Sequence, residues 1–368
     1  MPFMPAMLWF YDPLTMLALM VAYVAGFLVL QVLAAKVAPR AAARLSGRLS
    51  LHAAMALTAL LIIGGGALAV YGLWYAASAA GYPLPLGLML GFLLMANIVS
   101  YLAAPWIINL SYGAKPSPEL QAVVDEAAVK AGMKPPRAML VEGPPNAFAY
   151  GNFLAGRYIA VSRTLYEMLP RDELLAVVGH ELGHHKHRDM VVILLLGLVP
   201  SMLYYMGVTL LRLGLWGGVS DREERDNALL LALLGLLGVV LSFVMQVAVL
   251  AFSRLREYYA DAHGATLAGA RPMQRALARL HLYYTRASAA RARIEKSSFK
   301  ALFIYALVEA VASPFYSPIG GWRTGGDIDL VVEQLKHQPV DPAQELLSDH
   351  PPIPKRLRFL DSLARGIA

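Results

Sequence analysis

Long uncharged, apolar blocks alternate with polar stretches along the chain. The apolar blocks are Pro13–Ala35, Leu49–Ala114, Met190–Leu211 and Asn227–Ser253. A helix that spans a bilayer needs about 20 apolar residues, and the turn-forming sequence GYPLP divides the longest block near its middle. The pattern therefore predicts five spans, at roughly 14–35, 51–76, 86–110, 190–211 and 228–252.

The polar stretches predict a mixed helical and stranded unit outside the spans. In 112–189, an amphipathic helix is followed by three short strands with Gly and Pro turns between them, and then by a second helix. The second helix begins after Pro170, at Asp172. The polar sequence after 253 is largely helical in pattern. The predicted fold class is a mainly α membrane protein, of about five transmembrane helices, with an α+β domain that contains a small sheet.

Composition supports a membrane protein and narrows the chemistry. Hydrophobic residues make up 58% of the chain and charged residues only 15%, whereas about a quarter of a soluble domain is charged. The chain has no cysteine, which excludes disulfides, thiol catalysis and cysteine-based zinc sites. Basic residues beside membrane segments account for the net charge of +7, so we expect no nucleic-acid partner.

Loop charges predict the orientation in the membrane. The loop after the first span carries four basic residues and no acid, whereas SDREERD, between the last two spans, carries four acids and two arginines. Basic loops remain in the cytoplasm. We therefore expect a multi-pass protein of the plasma membrane with 112–189 and 253–368 on the cytoplasmic side.

Titratable side chains are most concentrated in VVGHELGHHKHRDM, which lies directly before the fourth span. His180 and His184 are four residues apart, so a helix places both imidazoles on one face, where they can bind one cation. Glu181 points about 100° around the helix axis, beside any water on that ion. This is the geometry of the HExxH signature, in which a glutamate takes a proton from water and passes it to a leaving amine. A polar, partly exposed helix beside a membrane is the alternative.

A third ligand is expected from SRLREYYADAHGA, directly after the fifth span. Glu257 and Asp261 are also four residues apart. Glu257 can complete a three-ligand zinc site with one open position, while Asp261 accepts the free N–H of a ligating histidine. A surface helix, with its acids paired by nearby arginines, is the alternative. If the site forms, the last two spans hold it at the bilayer surface.

Several motifs in the same order resemble the HtpX-type membrane zinc peptidases, relatives of the CAAX prenyl endoprotease. The likeness covers about 112–365. The motifs that carry it are NAFA at Asn146 to Ala149 with the VSRTL that follows, HELGH with Asp189 five residues beyond, Glu257 with Asp261, and HPP at His350 to Pro352 with Arg356.

The resemblance implies a gluzincin-like zinc peptidase domain. One zinc ion per chain would be held by His180, His184 and Glu257, with Glu181 as general base. It also implies that Asn146, Ala147, Phe148 and Ala149 form a strand that pairs with the extended substrate backbone.

The resemblance also places His350 and Arg356 near the metal, where His350 could donate to the developing oxyanion and Arg356 could orient its neighbours. The opening of a C-terminal helix by the two prolines is the alternative for that segment, and turn capping is the alternative for Asn146. His185 and His187 are not expected to be ligands.

The predicted function is a membrane-anchored, zinc-dependent endopeptidase that cleaves membrane or membrane-associated proteins, with protein quality control as its expected role. A dedicated CAAX-type processing protease for one anchored substrate is the alternative. An ion channel or transporter is disfavoured because ionisable residues are nearly absent from the predicted spans. The expected division of the chain is 1–111 as membrane region, 112–189 and 254–368 as the two parts of the peptidase domain, and 190–253 as a transmembrane hairpin.

Overall fold

The fold is described from a computed structural model of the chain. The structure describes residues 48–216, 222–286, 327–340 and 348–366, together with Leu17, Met20, Val21 and Glu345. The predicted first span at 14–35 lies almost wholly outside the described residues. The apolar segment 301–322, which the sequence leaves open as a lid, a membrane-dipping segment or part of the substrate groove, lies outside them altogether.

Four of the predicted spans are present as long apolar helices in the described part of the chain. They are Ala53–Ala79, Leu86–Ser111, Asp189–Leu215 and Asn227–Ala268. The helices that contain them are α1 (Arg48–Leu60), which continues through a π-helical turn at Leu61–Gly65 into α2 (Gly66–Ala79), then α3 (Leu86–Ser111), α7 (Asp189–Trp216) and α8 (Arg222–Ala268). The turn predicted at GYPLP separates α2 from α3.

The polar part folds around a small sheet with helices against it. The strands are β1 (Lys115–Pro116), β2 (Arg137–Val141), β3 (Ala147–Asn152) and β4 (Gly156–Ser162). The helices are α4 (Pro118–Ala131), α5 (Arg163–Met168), α6 (Arg171–His187), α9 (Ala270–Arg286), α10 (Ile328–Lys336) and α11 (Ile353–Ala364). The strand order is β1-β2-β4-β3, with β2 and β4 parallel and the other pairs antiparallel. Strand β3 therefore forms an edge of this sheet.

The sheet has apolar layers on both sides. On one side, α4 and α6 bury a cluster that includes Val124, Ile159 and Leu182. On the other side, residues of the sheet pack against the C-terminal part of α3, through Ile108 and Tyr150. The sheet is thus held between the HExxH helix and a membrane span.

Small residues allow the long helices to approach one another closely. A Cβ atom on Gly235 of α8 would lie 2.3 Å from the backbone nitrogen of Leu211 on α7. A Cβ atom on Gly264, farther along α8, would lie 2.6 Å from the carbonyl oxygen of Ala176 on α6. Small residues at helix interfaces are typical of membrane proteins, in which close van der Waals packing drives helix association.

The structure differs from the sequence prediction in two respects. The span 228–252 and the polar helix expected from 254 onward are one continuous helix, α8, since nothing between Ser253 and Arg254 interrupts its backbone hydrogen bonding. Three short elements, β1, α5 and α10, were not predicted as such. Their lengths are two, six and nine residues, respectively. Elements this short show little hydrophobic periodicity.

Candidate metal centre

Helix α6 presents the two histidines of the HExxH motif from a buried stretch. Pro170 precedes the helix, and the acidic residues Asp172 and Glu173 lie in its first turn, where they interact favourably with the positive end of the helix dipole. The helix is buried continuously from Glu173 to Gly183. It ends at Arg188, whose left-handed backbone (φ 55°) turns the chain directly into α7.

Helix α8 reaches this stretch of α6 because glycines remove side chains between the two helices. A Cβ atom on Gly183, inside the HExxH motif, would lie 3.1 Å from the Cα of Ala260 on α8. A side chain at Gly264 would likewise collide with the α6 backbone. This close contact places Glu257 of α8 opposite His180 and His184.

The structure brings the three predicted ligand side chains together. The Nε2 atoms of His180 and His184 are 3.2 Å apart. One oxygen of Glu257 lies 3.5 Å from Nε2 of His180, and the other lies 3.4 Å from Nε2 of His184. Glu257 is 1% exposed, and neither of its oxygens accepts a well-aligned hydrogen bond from the described residues.

This arrangement fits a tetrahedral zinc ion. Zinc binds imidazole nitrogen and carboxylate oxygen at about 2.0–2.2 Å, which puts neighbouring ligand atoms about 3.3 Å apart in a tetrahedron. The three observed separations lie around this value. Two imidazole nitrogens that face a buried carboxylate are also the kind of donor set that zinc binds.

The other nitrogen of each histidine is held by a buried carboxylate. Nδ1 of His180 lies 2.9 Å from Oδ1 of Asp261, and Nδ1 of His184 lies 2.7 Å from Oδ2 of Asp189. Such contacts fix the tautomer that leaves Nε2 available for a metal. Asp261 is fixed in turn by Arg356, which donates to both of its oxygens at 2.8 and 2.5 Å.

The acidic surroundings favour a proton on His180 in the metal-free protein. Burial alone would lower its pKa, but the hydrogen bond to Asp261, together with the negative charges of Asp261 and Glu257, raises the pKa of His180 to about 10. A metal ion that binds Nε2 must therefore displace a proton.

Glu181 lies between the two imidazoles and the edge strand of the sheet. Metal-binding atoms of His180, Glu181 and His184 lie within 4.8 Å of one another. One carboxylate oxygen of Glu181 also accepts a hydrogen bond from the backbone N–H of Ala149, at 2.7 Å. The carboxylate thus lies beside the ion-binding atoms and is oriented by strand β3.

The backbone of β3 faces this centre with alternate residues. The N–H of Ser162 on β4 donates to the carbonyl of Asn146 at 2.8 Å, and the N–H of Asn146 donates to Oγ of Ser162 at 2.9 Å. Because hydrogen-bonding directions alternate along an antiparallel pair, Ala147 and Ala149 direct their backbone groups away from β4, toward the side of Glu181. Phe148 is buried, and its ring packs against Tyr112, the residue that follows α3.

The structure also places His350 and Arg356 at the centre. Nδ1 of His350 lies 2.8 Å from the Glu257 oxygen that faces His180. Arg356, on α11, binds Asp261 and lies 3.9 Å from the same Glu257 oxygen. The prolines Pro351 and Pro352 precede α11, so this segment both opens a helix and brings His350 to the site.

His185 is placed away from the predicted ligands. Its Nε2 lies 2.8 Å from the carbonyl of Tyr158 on β4, and burial lowers the pKa of His185 to about 4. A neutral His185 that donates to this carbonyl connects α6 to the sheet.

Two residues at the site were given no role by the sequence. Asp189 is the first residue of α7 and is 4% exposed, and Nε of Arg256 on α8 lies 3.4 Å from its carboxylate. A single acid directly before an apolar span was the available signal for Asp189. Arg256 carried none, since arginines are common at the ends of spans.

These features define a class of protein: a membrane metalloprotease in which an HExxH helix and a second acidic helix meet at the ends of a transmembrane hairpin. The sequence profile of Peptidase family M48 matches residues 114–364. The chain belongs to this family, and the resemblance predicted from its sequence motifs is confirmed.

Individual relatives match over nearly the whole chain. "Protease HtpX homolog" of Pyrobaculum calidifontis is 49% identical over 93% of this chain and 96% of its own length. "Protease HtpX homolog" of Archaeoglobus fulgidus is 47% identical over 97% of this chain and 99% of its own length. The crystal structure of S. mikatae Ste24p is similar with a TM-score of 0.50 at 20% identity, over 83% of this chain and 65% of that one, which indicates a shared fold.

Proposed function

We propose that this metalloprotease is a zinc-dependent endopeptidase that binds one zinc ion per chain through His180, His184 and Glu257. The observation that carries the proposal is the convergence of two imidazole nitrogens and the two oxygens of one carboxylate, from two helices, at 3.2–3.5 Å. When bound, such an ion polarises a carbonyl group and lowers the pKa of water.

We assign the proton transfers to Glu181. Its carboxylate lies beside the two imidazoles and is held by the N–H of Ala149 at 2.7 Å, so it can take a proton from a water molecule and give it to the leaving amine. We assign to His350, whose Nδ1 lies 2.8 Å from Glu257, the donation of a hydrogen bond to the oxyanion. Arg356 and Asp261 act as positioning residues, because they hold His180 rather than the substrate.

We propose that the edge of β3 binds the substrate backbone. Ala147 and Ala149 direct backbone groups toward the site, and an extended peptide can add to such an edge through main-chain hydrogen bonds regardless of its sequence. Asn146 begins this edge. Broad recognition of this kind suits removal of damaged membrane proteins, and the relatives named as HtpX homologues support this role more strongly than dedicated CAAX-type processing.

We further propose that the site faces the cytoplasm. Loop charge supports this orientation, since Lys36, Arg40, Arg44 and Arg48 follow the first predicted span without an acid. The peptidase unit would then be assembled from 112–189 and 254–368, with the hairpin 190–253 between them. The packing of α6 against α8 supports that division.

Zinc analysis combined with a single substitution tests the proposal. Detergent-purified protein should contain about one zinc ion per chain and digest casein, and a chelator should stop digestion. Glu181→Gln should retain the zinc and lower the rate by about 10²–10⁴-fold, the usual contribution of general acid–base catalysis. Glu167→Gln, at an exposed position on α5, is the matched control and should leave both unchanged.

Cleavage by Glu181→Gln at more than a trace would remove Glu181 as the base. Digestion that proceeds equally in metal-free protein would contradict the zinc proposal as a whole.

A further inference from the structure

The turn between β3 and β4 displays two large apolar side chains beside a membrane span. Phe153 is 78% exposed and Leu154 is 61% exposed. Single exposed apolar residues are common on protein surfaces, so exposure alone means little. The position of this turn beside the membrane-spanning part of α3 indicates what these side chains contact.

Strand β3 runs along α3 toward the middle of the span. Phe148 contacts Tyr112 just beyond the end of α3, with ring centroids 5.3 Å apart. Tyr150 donates a hydrogen bond to Asn109 at 2.5 Å. At the end of the strand, Asn152 reaches the carbonyl of Tyr101. Tyr101 precedes Ser111, the last residue of α3, by about 15 Å along the helix axis at 1.5 Å per residue.

Asn152 fixes the turn at this depth for a specific reason. Pro105 lies inside α3 and has no N–H, so the carbonyl of Tyr101 lacks the donor that residue i+4 normally supplies. Nδ2 of Asn152 donates to this carbonyl and to that of Leu102, both at 2.9 Å. Its Oδ1 accepts from the N–H groups of Leu154 and Ala155. The buried side chain of Asn152 therefore supplies the donor that the carbonyl of Tyr101 lacks and also fixes the conformation of the turn.

The start of the neighbouring span in α7 indicates where the bilayer boundary lies along α3. Met190, the first apolar residue of the span in α7, packs against the apolar cluster that contains Ala104 and Ile108 of α3. Tyr101 and Leu102 lie on the membrane side of that level, as part of the span Leu86–Ser111. Asn152 holds the β3–β4 turn next to Tyr101 and Leu102, so the turn reaches at least the bilayer surface.

Basic residues surround the same end of the sheet. Arg157 lies at the start of β4, and its guanidinium donates to the carbonyl of Lys134 at 3.2 Å. Arg137 begins β2 and pairs with Tyr158 in the parallel register. An apolar tip with basic residues around it is complementary to anionic lipid, whose headgroups attract Lys and Arg while the acyl region accepts apolar side chains.

We propose that the β3–β4 turn is a membrane anchor, in which Phe153 and Leu154 insert into the cytoplasmic leaflet next to α3. The occupant of this surface is the lipid bilayer, because the surface is continuous with the lipid-facing side of a span and carries the matching charge.

Labelling of the cysteine-free chain tests this placement. A fluorophore is attached to the full-length variants Phe153→Cys and Leu154→Cys. The control is Glu167→Cys, on α5, which follows the opposite end of β4. The proteins are reconstituted in vesicles of phosphatidylcholine and phosphatidylglycerol. We expect nitroxide lipids to quench the labels at 153 and 154 at least threefold more than the label at 167, and aqueous iodide to show the opposite order.

Equal iodide quenching at 153 and 167 would overturn the proposal. Disulfide-linked dimers of Phe153→Cys without quenching by lipid would also overturn it, because a second copy of the chain would then cover the surface.

A double-mutant cycle tests the connection to α3. Asn152→Ala should reduce lipid quenching of the label at 153 at least twofold. Pro105→Ala restores the backbone donor for Tyr101, so Asn152→Ala should have a smaller effect in that background. The same loss in both backgrounds would contradict the role given to Asn152.

The anchor has a consequence for substrates, and this consequence rests on the proposed peptidase function. Ala149, beside Glu181, lies three residues from Asn152, or about 10 Å along a strand. A peptide paired with this edge therefore meets the bilayer within a few residues of the reacting bond. We expect the preferred substrates to be membrane proteins cleaved close to the lipid surface.

A variant with both Phe153→Asp and Leu154→Asp separates the two proposals. It should cleave a vesicle-embedded substrate at least tenfold more slowly than the unmodified protein, and a soluble peptide at the same rate within twofold. Equal loss on both substrates would contradict the anchor's role in substrate access. If the unmodified protein cleaves neither, the peptidase proposal fails, whereas the labelling result still decides the anchor.

Discussion

The two halves of helix α8 show opposite relations between polarity and burial. In the first half, apolar side chains are exposed: Leu229 is 62% exposed and Leu233 is 54% exposed. In the second half, charged side chains are buried, with Glu257 at 1% and Asp261 at 0%. One uninterrupted backbone thus passes from lipid, which accepts exposed leucines, into a protein interior that holds charges against one another.

In both halves of α8, a glycine allows close packing against a neighbouring helix, but the consequence differs. Gly235 allows α8 to lie against α7 within the span, and Gly264 allows it to lie against α6 in the peptidase unit. In the span, close packing compensates for the weak hydrophobic drive between helices in lipid. In the peptidase unit, it sets the distance between Glu257 and the imidazoles. Helix α8 therefore connects the close packing of the membrane hairpin to the geometry of the candidate metal centre.

The largest effect is expected in the polar half, at Glu257. Glu257→Ala removes one of three proposed ligands, so zinc content should fall from about one to below 0.1 per chain and activity should be lost, since a catalytic zinc site depends on three protein ligands. Metal analysis of purified protein measures this. Glu333→Ala, on the exposed side of α10, is the control. Unchanged zinc in Glu257→Ala would exclude this residue from the coordination shell.

Asp261→Asn should have the next largest effect. It keeps the shape of the side chain but leaves the buried guanidinium of Arg356 without its charge partner, which typically costs about 3–5 kcal/mol of stability. Weaker orientation of His180 should lower metal affinity by about 10–100-fold. Denaturant unfolding and competition with a zinc chelator measure the two effects, and a change in neither would show that Asp261 does not support the site.

Substitution of the close-contact glycines tests whether the two halves pack alike. Gly264→Ala and Gly235→Ala should each destabilise the protein by about 1–3 kcal/mol, the usual cost of overpacking. Gly197→Ala on α7, where a Cβ atom would meet nothing within 4 Å, should have no such cost. Only Gly264→Ala should also lower zinc affinity. If Gly235→Ala lowers it as much, the two halves are more tightly coupled than their separate contacts indicate.

The smallest effect concerns pH. Because the hydrogen bond to Asp261 and the negative charges of Asp261 and Glu257 raise the pKa of His180 to about 10, protonated His180 stabilises the metal-free fold. This contribution is complete below the unfolded pKa of about 6.5 and is lost as pH rises through about 10. Zinc must displace that proton, so its apparent affinity should rise by up to about tenfold per pH unit between pH 7 and 9. Affinity that does not vary over this range would contradict protonation of His180.

The local parts of the site were predictable from the sequence, because they depend on helical spacing. His180 and His184 had to share a face of α6, and Glu257 and Asp261 a face of α8, wherever those helices lay. The spans at 51–76, 86–110, 190–211 and 228–252 were predictable for a similar reason, since apolar length alone decides whether a helix can cross a bilayer. The roles of these residues in metal binding and catalysis remain proposals.

Other features depend on contacts that no local pattern in the sequence indicates. The contact of Asp189 with His184 depends on the left-handed turn at Arg188, and nothing in the sequence indicates that a non-glycine residue adopts it. The bond from Asn152 to Tyr101 joins residues that are far apart in the chain, and only the fold shows that Pro105 left that carbonyl in need of a donor.

The sequence by itself determined which residues share a helix face, which segments can enter a bilayer, and that any metal must be bound by histidine and carboxylate. These properties depend on spacing and composition within about 20 residues. Only the tertiary structure decided that α6 and α8 meet at Gly264, that the edge of β3 faces Glu181, and that Asn152 at the end of β3 contacts Tyr101 of α3. Those contacts join segments distant in sequence, and close packing of the whole chain, rather than any local preference, sets their distances.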